Sequence, residues 1–171
     1  GFGRSGGLIH LDAPSYEVAD ASLLISYLAT LPQVLKDVAG DPRVGVAGSS
    51  YGGGLALLLG AYDKRVDAVA ADITWNDLSQ ALFPNAAGGG PGVFKKLWAG
   101  ELFASAAGEK SGACGRLAPA LCLAYQQAAI TGQPDASILS LLKASSPAGV
   151  LARITAPTLL RQGDNDSLFP L

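Results

Sequence analysis

The sequence contains no methionine, one histidine (His10) and two cysteines among its 171 residues. Because the sequence has so few histidine and cysteine side chains to act as ligands, a metal site is not expected. Charged residues make up only 15% of the chain, with 12 basic and 14 acidic side chains and no basic cluster, so a nucleic-acid partner is not expected either. The longest apolar runs, such as Leu55 to Ala61, are far shorter than the roughly 18 residues of a membrane helix, which excludes a membrane span.

The first residue is Gly1, and neither a charged leader nor an apolar signal core follows it. Together with the lack of methionine, this start leads us to expect a chain whose N-terminal part is missing. The compartment, secreted or cytoplasmic, therefore stays open.

The two cysteines, Cys114 and Cys122, are eight positions apart. On one continuous helix that spacing corresponds to about 12 Å, which is too far for a disulfide. Pro119 lies between them and can begin a new helix, so the pair permits a disulfide in an exported protein. Two buried, reduced cysteines are the alternative.

Hydrophobic patterning predicts an α/β fold. Apolar residues spaced three and four apart predict an amphipathic helix over 15–31, and Pro32 and Gly40 favour a second short helix at Val34 to Val38. Further elements are predicted from short apolar runs: strands at 44–47, 66–74 and 158–160, and a helix at 55–62. Strand, helix and strand in this order indicate a mostly parallel sheet flanked by helices.

The middle of the chain differs in amino-acid composition from both ends. The stretch AAGGGPG at 86–92 reads as a flexible break, and Ala-rich segments after it predict short helices without a strand pattern. We therefore predict a sheet-containing core at 1–75, a helical cap insertion at 76–150 and a continuation of the core at 151–171.

Two windows match the pattern G-x-S-x-G, one around Ser5 and one around Ser50. In a chain with 22 glycines the bare pattern is weak evidence, so its structural context must decide. Ser50 lies between a predicted strand and a predicted helix, where a sharp turn would lift its hydroxyl above the sheet. Gly48 and Gly52 remove side chains that would collide with such a turn. We therefore predict Ser50 as a nucleophile.

The same turn predicts an oxyanion site. A helix N-terminus presents backbone N–H groups to a developing negative charge, and the N–H of Tyr51 is the expected donor. Gly53 and Gly54 let the helix approach the sheet closely. Ser49 is expected to pack beside the turn, and Ser5 lacks a following helix.

The segment GFGRSG at the start also fits the dinucleotide pattern G-x-G-x-x-G. A dinucleotide site would need a helix that opens within the pattern, and none is predicted before Ser15. No cofactor is therefore expected.

A serine nucleophile needs a base and an acid that orients the base. Asp166 is the preferred acid, because it follows the third strand at the sheet edge where Ser50 also emerges; Asp164 and Asp72 are alternatives. His10 precedes the nucleophile, whereas the usual chain order is serine, acid, histidine. We therefore expect the catalytic histidine beyond Leu171 and an inactive 171-residue chain.

Four segments together resemble the Xaa-Pro dipeptidyl-peptidase and cocaine-esterase-like group of α/β-hydrolases: GFGRSGG, GSSYGG, ITWNDLSQALFP and PTLLRQGDNDSLFP. The resemblance extends over nearly the whole chain. It implies the α/β-hydrolase fold with a helical cap, with N- and C-terminal parts missing. It also implies hydrolysis of ester or amide bonds, with Ser50 as nucleophile and Asp166 as acid.

The residues after the second strand are candidates for substrate binding. Trp75, Asn76 and Phe83 follow it on the predicted active-site edge, where they would line an acyl pocket. The two aromatic residues are equally well interpreted as core residues. The substrate is expected to be a small ester or short peptide, and the enzyme a dipeptidyl-peptidase, or alternatively a carboxylesterase or acylase. A non-catalytic binding protein on the same scaffold is the alternative outside enzymes.

Overall fold

The computed structural model describes residues 1–84, 90–107 and 113–170. They form two compact units, one of residues 1–11 with 77–144 and the other of residues 12–76 with 145–171. The first eleven residues, which we predict as part of the core, thus cluster with the helical segment. Most of the predicted glycine-rich break lies outside the described residues.

Residues 14–72 form both helices and strands, and the described elements between residues 78 and 144 are all helical. In chain order they are a π-helical turn at Pro14–Val18, α1 (Ala19–Thr30), β1 (Lys36–Val38), β2 (Asp41–Pro42), β3 (Val44–Ser49), α2 (Tyr51–Tyr62), β4 (Val66–Asp72), α3 (Leu78–Leu82), α4 (Lys96–Ala107), α5 (Pro119–Thr131), α6 (Ala136–Ala144), 3₁₀ turns at Pro147–Gly149 and Leu151–Arg153, and β5 (Thr158–Arg161).

The unit of residues 12–76 and 145–171 is built on a parallel sheet of three strands in the order β3-β4-β5. Ser49 pairs with Asp72, and Asp72 pairs with Arg161, so the three strands end in register at one edge. The predicted parallel sheet and its strands are therefore confirmed. Any residue that directly follows one of these strands emerges at this carboxyl edge.

The core of this unit lies between helix α2 and the sheet. Leu58 of α2 is completely buried, and Val66, Val69 and Ala71 of β4 pack in the same cluster with Ile25 of α1. Full burial of one such aliphatic side chain is worth about 1.5–3 kcal/mol. This packing fixes α2 against β4 and thereby fixes the turn that leads into α2.

The predicted short helix at Val34 to Val38 is wrong. Lys36–Val38 instead pairs antiparallel with Asp41–Pro42. Gly40 has φ +83°, a conformation that side chains disfavour, and it supplies the tight turn between the two strands. Five residues form little more than one helical turn, which tertiary pairing easily outweighs.

The unit of residues 1–11 and 77–144 contains helices α3 to α6. Cys114 and Cys122 form a disulfide with 5.6 Å between their Cα atoms. Helix α5 begins at Pro119, so Cys114 lies outside the helix that carries Cys122. This break brings the two cysteines within reach. No helix in the described part of the chain is long and apolar enough to cross a membrane.

Candidate active site

Ser50 occupies the junction between the end of β3 and the start of α2. Its backbone has φ 52° and ψ −118°, a region that non-glycine residues rarely adopt and that costs about 1–3 kcal/mol. Its N–H donates to the carbonyl of Asp72 (2.9 Å), and its carbonyl accepts from the N–H groups of Gly53 and Gly54 (3.0 and 3.1 Å). The surrounding sheet and helix thus hold Ser50 in a strained conformation.

The close packing of this turn depends on particular glycines. A Cβ atom on Gly48 would collide with the backbone carbonyl of Gly52 and would lie 2.9 Å from its Cα. The expectation that Gly52 must also lack a side chain is wrong, because its Cβ would meet no described atom within 4 Å. The steric requirement therefore lies at Gly48, on the strand side of the turn.

Glycines on the helix side allow α2 to approach the residues after β4. A Cβ on Gly53 would lie 2.8 Å from Cβ of Thr74, and one on Gly54 would lie 2.5 Å from the ring of Trp75. Real Cβ atoms essentially never come this close to other atoms. The first turn of α2, including the backbone N–H of Tyr51, therefore stays close to the carboxyl edge of the sheet.

Tyr51 is the first residue of α2, and its side chain is held on two sides. Its hydroxyl accepts a hydrogen bond from the backbone N–H of Asp12 (2.9 Å). Its ring meets Trp75 edge to face, with centroids 6.1 Å apart. The first N–H groups of a helix lack partners within the helix, so this position suits the oxyanion role predicted for the Tyr51 N–H; that role stays a prediction.

Asp166 lies in the loop that follows β5, at the same edge of the sheet as Ser50. Its Oδ1 accepts hydrogen bonds from the N–H groups of Leu168 and Phe169, both at 2.8 Å. Its Oδ2 accepts from the side-chain amide of Gln162 at 3.1 Å. The carboxylate is therefore fixed in orientation, as an acid that orients a base would need to be.

The other two acidic candidates have different surroundings. Asp72 forms a two-point ion pair with Arg161 (2.6 and 2.7 Å) and also accepts from the hydroxyl of Ser49 (2.9 Å). Hydrogen bonds from Arg161 first, and Ser49 second, lower the pKa of Asp72 to about 2. Asp164 is exposed and accepts from the side chain of its neighbour Asn165. Both carboxylates are thus engaged elsewhere or directed to solvent.

Ser49 and Ser50 differ in what their hydroxyls contact. The Ser49 hydroxyl donates to Asp72, as a side chain packed beside the turn is expected to do. Among the described residues, no hydrogen bond engages the hydroxyl of Ser50. The adjacent serines therefore provide a chemically matched pair with different surroundings.

Ser5 and His10, the two candidates near the start of the chain, belong to the unit of residues 1–11 and 77–144. Ser5 is exposed in a turn closed by its N–H to the carbonyl of Phe2 (3.1 Å). His10 places its Nδ1 3.1 Å from the carbonyl of Leu8. The first helical turn after GFGRSG begins at Pro14, so the helix that a dinucleotide site requires does not open within that segment.

The three predicted substrate-binding residues lie in different surroundings. Trp75 is buried, and its indole N–H donates to the carbonyl of Ser145 (2.7 Å). Both features fit the alternative interpretation of Trp75 as a core residue. Asn76 is exposed. Phe83 belongs to the helical unit and stacks on Phe94 with centroids 4.9 Å apart. Their roles in substrate binding stay predictions.

Asp12 was not recognised in the sequence, although it contacts the site through Tyr51. It is fully buried, and its carboxylate interacts with the Tyr51 hydroxyl, which opposes the effect of burial on its pKa. Burial, with a smaller contribution from the charge of Glu17, raises its pKa to about 8. Leu11 and Asp12 both have positive φ, 64° and 55°, so the chain is strained where it enters this unit.

Thr74 and Gln162 were also missed, and a sequence signal for both exists. Each is a polar residue shortly after the end of a parallel strand, β4 or β5, where site residues gather. The hydroxyl of Thr74 donates to the carbonyl of Ser50 (2.8 Å), and its N–H donates to Oε1 of Gln162 (3.0 Å). Only the structure reveals that these two residues contact each other.

Comparison with known proteins identifies one family. Residues 1–170 match the model of the X-Pro dipeptidyl-peptidase (S15) family. No curated protein matches the sequence. Among solved structures, a hypothetical protein from Pseudomonas aeruginosa aligns with a TM-score of 0.46 and 18% identity, over 93% of this chain and 54% of that one.

Proposed function

Because the chain belongs to the X-Pro dipeptidyl-peptidase family, whose members are hydrolases, we propose that it is a serine hydrolase with Ser50 as the nucleophile. The observation that carries this proposal is the backbone of Ser50, held at φ 52° and ψ −118° between a parallel strand and a helix. Strain of this kind is retained where a function requires it. Asp166, fixed at the same edge of the sheet, supplies the acid.

In the proposed reaction, the oxygen of Ser50 attacks the carbonyl carbon of an ester or amide and transfers its proton to the base. The oxyanion of the tetrahedral intermediate accepts a hydrogen bond from the N–H of Tyr51. The intermediate collapses when the protonated base donates its proton to the leaving alcohol or amine. Water then releases the acid product from Ser50 by the same steps, and the serine hydroxyl is restored.

The base in the proposed reaction is a histidine. The sequence contains one histidine, His10, and residues 12–76 and 145–171 contain none. Asp166 would accept the N–H of that imidazole and stabilise its protonated form. The proposal makes no use of a cofactor or metal.

For the substrate, we propose a short peptide with proline in the second position, in keeping with the family name. A carboxylesterase or acylase is the alternative, since both classes share an acyl-enzyme at serine. The lack of a histidine near Ser50 within its own unit favours a second candidate, a non-catalytic binding protein on this scaffold.

One experiment separates these functions. The complete gene product is assayed with a glycyl-prolyl anilide and with a short-chain nitrophenyl ester, as wild type, Ser50→Ala and Ser49→Ala. We expect turnover of the anilide that Ser50→Ala abolishes and Ser49→Ala retains. Turnover of the ester alone would identify the esterase, whereas turnover of neither would favour the binding protein. Equal activity in Ser50→Ala would refute the nucleophile.

A further inference from the structure

Gln162 is the residue that joins Asp166 to the rest of the sheet edge. It directly follows β5, and its side-chain amide is engaged at both ends. Oε1 accepts from the N–H of Thr74 at 3.0 Å, and Nε2 donates to Oδ2 of Asp166 at 3.1 Å and to the carbonyl of Phe169 at 2.7 Å. An amide whose oxygen and both N–H donors are engaged is held in one orientation.

Thr74 continues this connection to Ser50. Its hydroxyl donates to the carbonyl of Ser50 at 2.8 Å, while its N–H is the group that Gln162 accepts. Ile73 before it has φ 42°, which is a true outlier for a β-branched residue. The strained residue turns the chain at the end of β4. Thr74 therefore contacts Ser50, which follows β3, and Gln162, which follows β5. A continuous series of hydrogen bonds thus links the Ser50 backbone to the Asp166 carboxylate.

The hydrogen bonds to Asp166 also distinguish its two oxygens. A carboxylate has about four acceptor positions. Within the described part of the chain, two backbone N–H groups fill those of Oδ1, and Gln162 fills one of Oδ2. The remaining acceptor position is therefore on Oδ2, the oxygen that Gln162 holds.

From these contacts we infer that Gln162 is a positioning residue that, through Thr74, sets the Asp166 carboxylate relative to Ser50 and presents Oδ2 to the N–H of the base. This inference rests on the proposed function. Gln162 touches neither substrate nor reacting atoms. It acts on the rate through the orientation and charge of Asp166.

The variant Gln162→Glu tests this role, because it keeps the size of the side chain and removes its N–H donors. It also places a second carboxyl group beside Oδ2, and the repulsion between two adjacent carboxylates raises the pKa of the pair, which then holds a proton at higher pH. We expect kcat/KM of the complete gene product at pH 7 to fall about 10- to 100-fold, mainly through kcat. We also expect the acidic limb of its pH profile to move upward by about one pH unit.

The control is Gln133→Glu, the same chemical change at an exposed position in the helical unit. It should leave both kcat and the acidic limb unchanged. A second pair tests the path through Thr74: Thr74→Val should lower kcat, whereas Thr74→Ser, which keeps the hydroxyl, should restore it.

Ser50→Ala is measured in parallel so that the two proposals can fail separately. If Ser50→Ala is inactive but Gln162→Glu keeps the wild-type kcat and acidic limb, the positioning role is refuted and the nucleophile stands. A fall in activity that follows lost thermal stability, with the acidic limb unmoved, also refutes positioning. If Ser50→Ala remains fully active, both proposals fall.

Discussion

The helix that begins at Tyr51 lies so close to Trp75 that a single methyl group on Gly54 would reach to 2.5 Å from the indole ring. Trp75 cannot easily give way, because it is buried and its indole N–H is bonded to the carbonyl of Ser145. The ring is also packed against Phe169, with centroids 5.2 Å apart. The packing at this point connects helix α2 to the loop that carries Asp166.

The first prediction concerns that close approach. Gly54→Ala should lower the free energy of unfolding by about 1–3 kcal/mol, because the added methyl group overpacks a site with no room to relax. Gly52→Ala, two residues earlier in the same helix, should be neutral or slightly stabilising, since its Cβ meets no described atom within 4 Å and alanine favours a helix. Chemical denaturation of both variants measures the difference. Equal effects would contradict the packing described for Gly54.

The second prediction concerns the buried carboxyl of Asp12. Its pKa of about 8 in the folded state lies above the ordinary value of 3.8, so folding favours the neutral form. The contribution of Asp12 to the free energy of unfolding is therefore largest below pH 3.8, where the carboxyl is neutral in both states. It decreases as the pH rises towards 8, because the unfolded chain ionises Asp12 over this range while the folded protein does not. The wild type should therefore lose stability between about pH 4 and pH 8.

The variant Asp12→Asn cannot ionise at this position. Relative to wild type it should gain stability over that pH range, by an amount on the order of a few kcal/mol at pH 8. Denaturation of both proteins at several pH values measures the gain, and the difference removes the contributions of other groups. A difference that does not change with pH would show that Asp12 is ionised in the folded protein at all of these values.

The third prediction identifies the acid. Asp166→Asn should lower kcat by about 10³- to 10⁴-fold, because an amide cannot stabilise the protonated base. Asp72→Asn should retain most of the activity, since that carboxylate is paired with Arg161 and Ser49. Steady-state kinetics on the substrate turned over by the complete gene product compares the two. If Asp72→Asn lost activity and Asp166→Asn did not, the catalytic acid would be Asp72, at the end of β4.

The sequence predicts the parallel sheet of this protein, because its strands are short apolar runs and a helix lies between the first two. Ser50 could be selected over Ser5 for the same reason, since only Ser50 stands between a strand and a helix. The hairpin at Lys36 to Pro42 was missed because pairing with a neighbouring segment outweighs a weak helical pattern. Local patterns do not report such pairings.

Contacts between residues that are far apart in the chain could not be predicted from the sequence. Thr74 and Gln162 are 88 positions apart and meet only because β4 and β5 are neighbours in register. Asp12 resembles an ordinary loop aspartate until its burial is known. The disulfide between Cys114 and Cys122 likewise depended on where helix α5 begins.

The measurement that tests the central claim most directly is covalent labelling of the complete gene product with a fluorophosphonate, followed by peptide mapping with mass spectrometry. The serine oxygen displaces fluoride from phosphorus, so the adduct marks the nucleophile. We predict one adduct, on Ser50, that is lost in Ser50→Ala and retained in Ser49→Ala. An adduct on another residue, or labelling that persists in Ser50→Ala, would contradict the assignment.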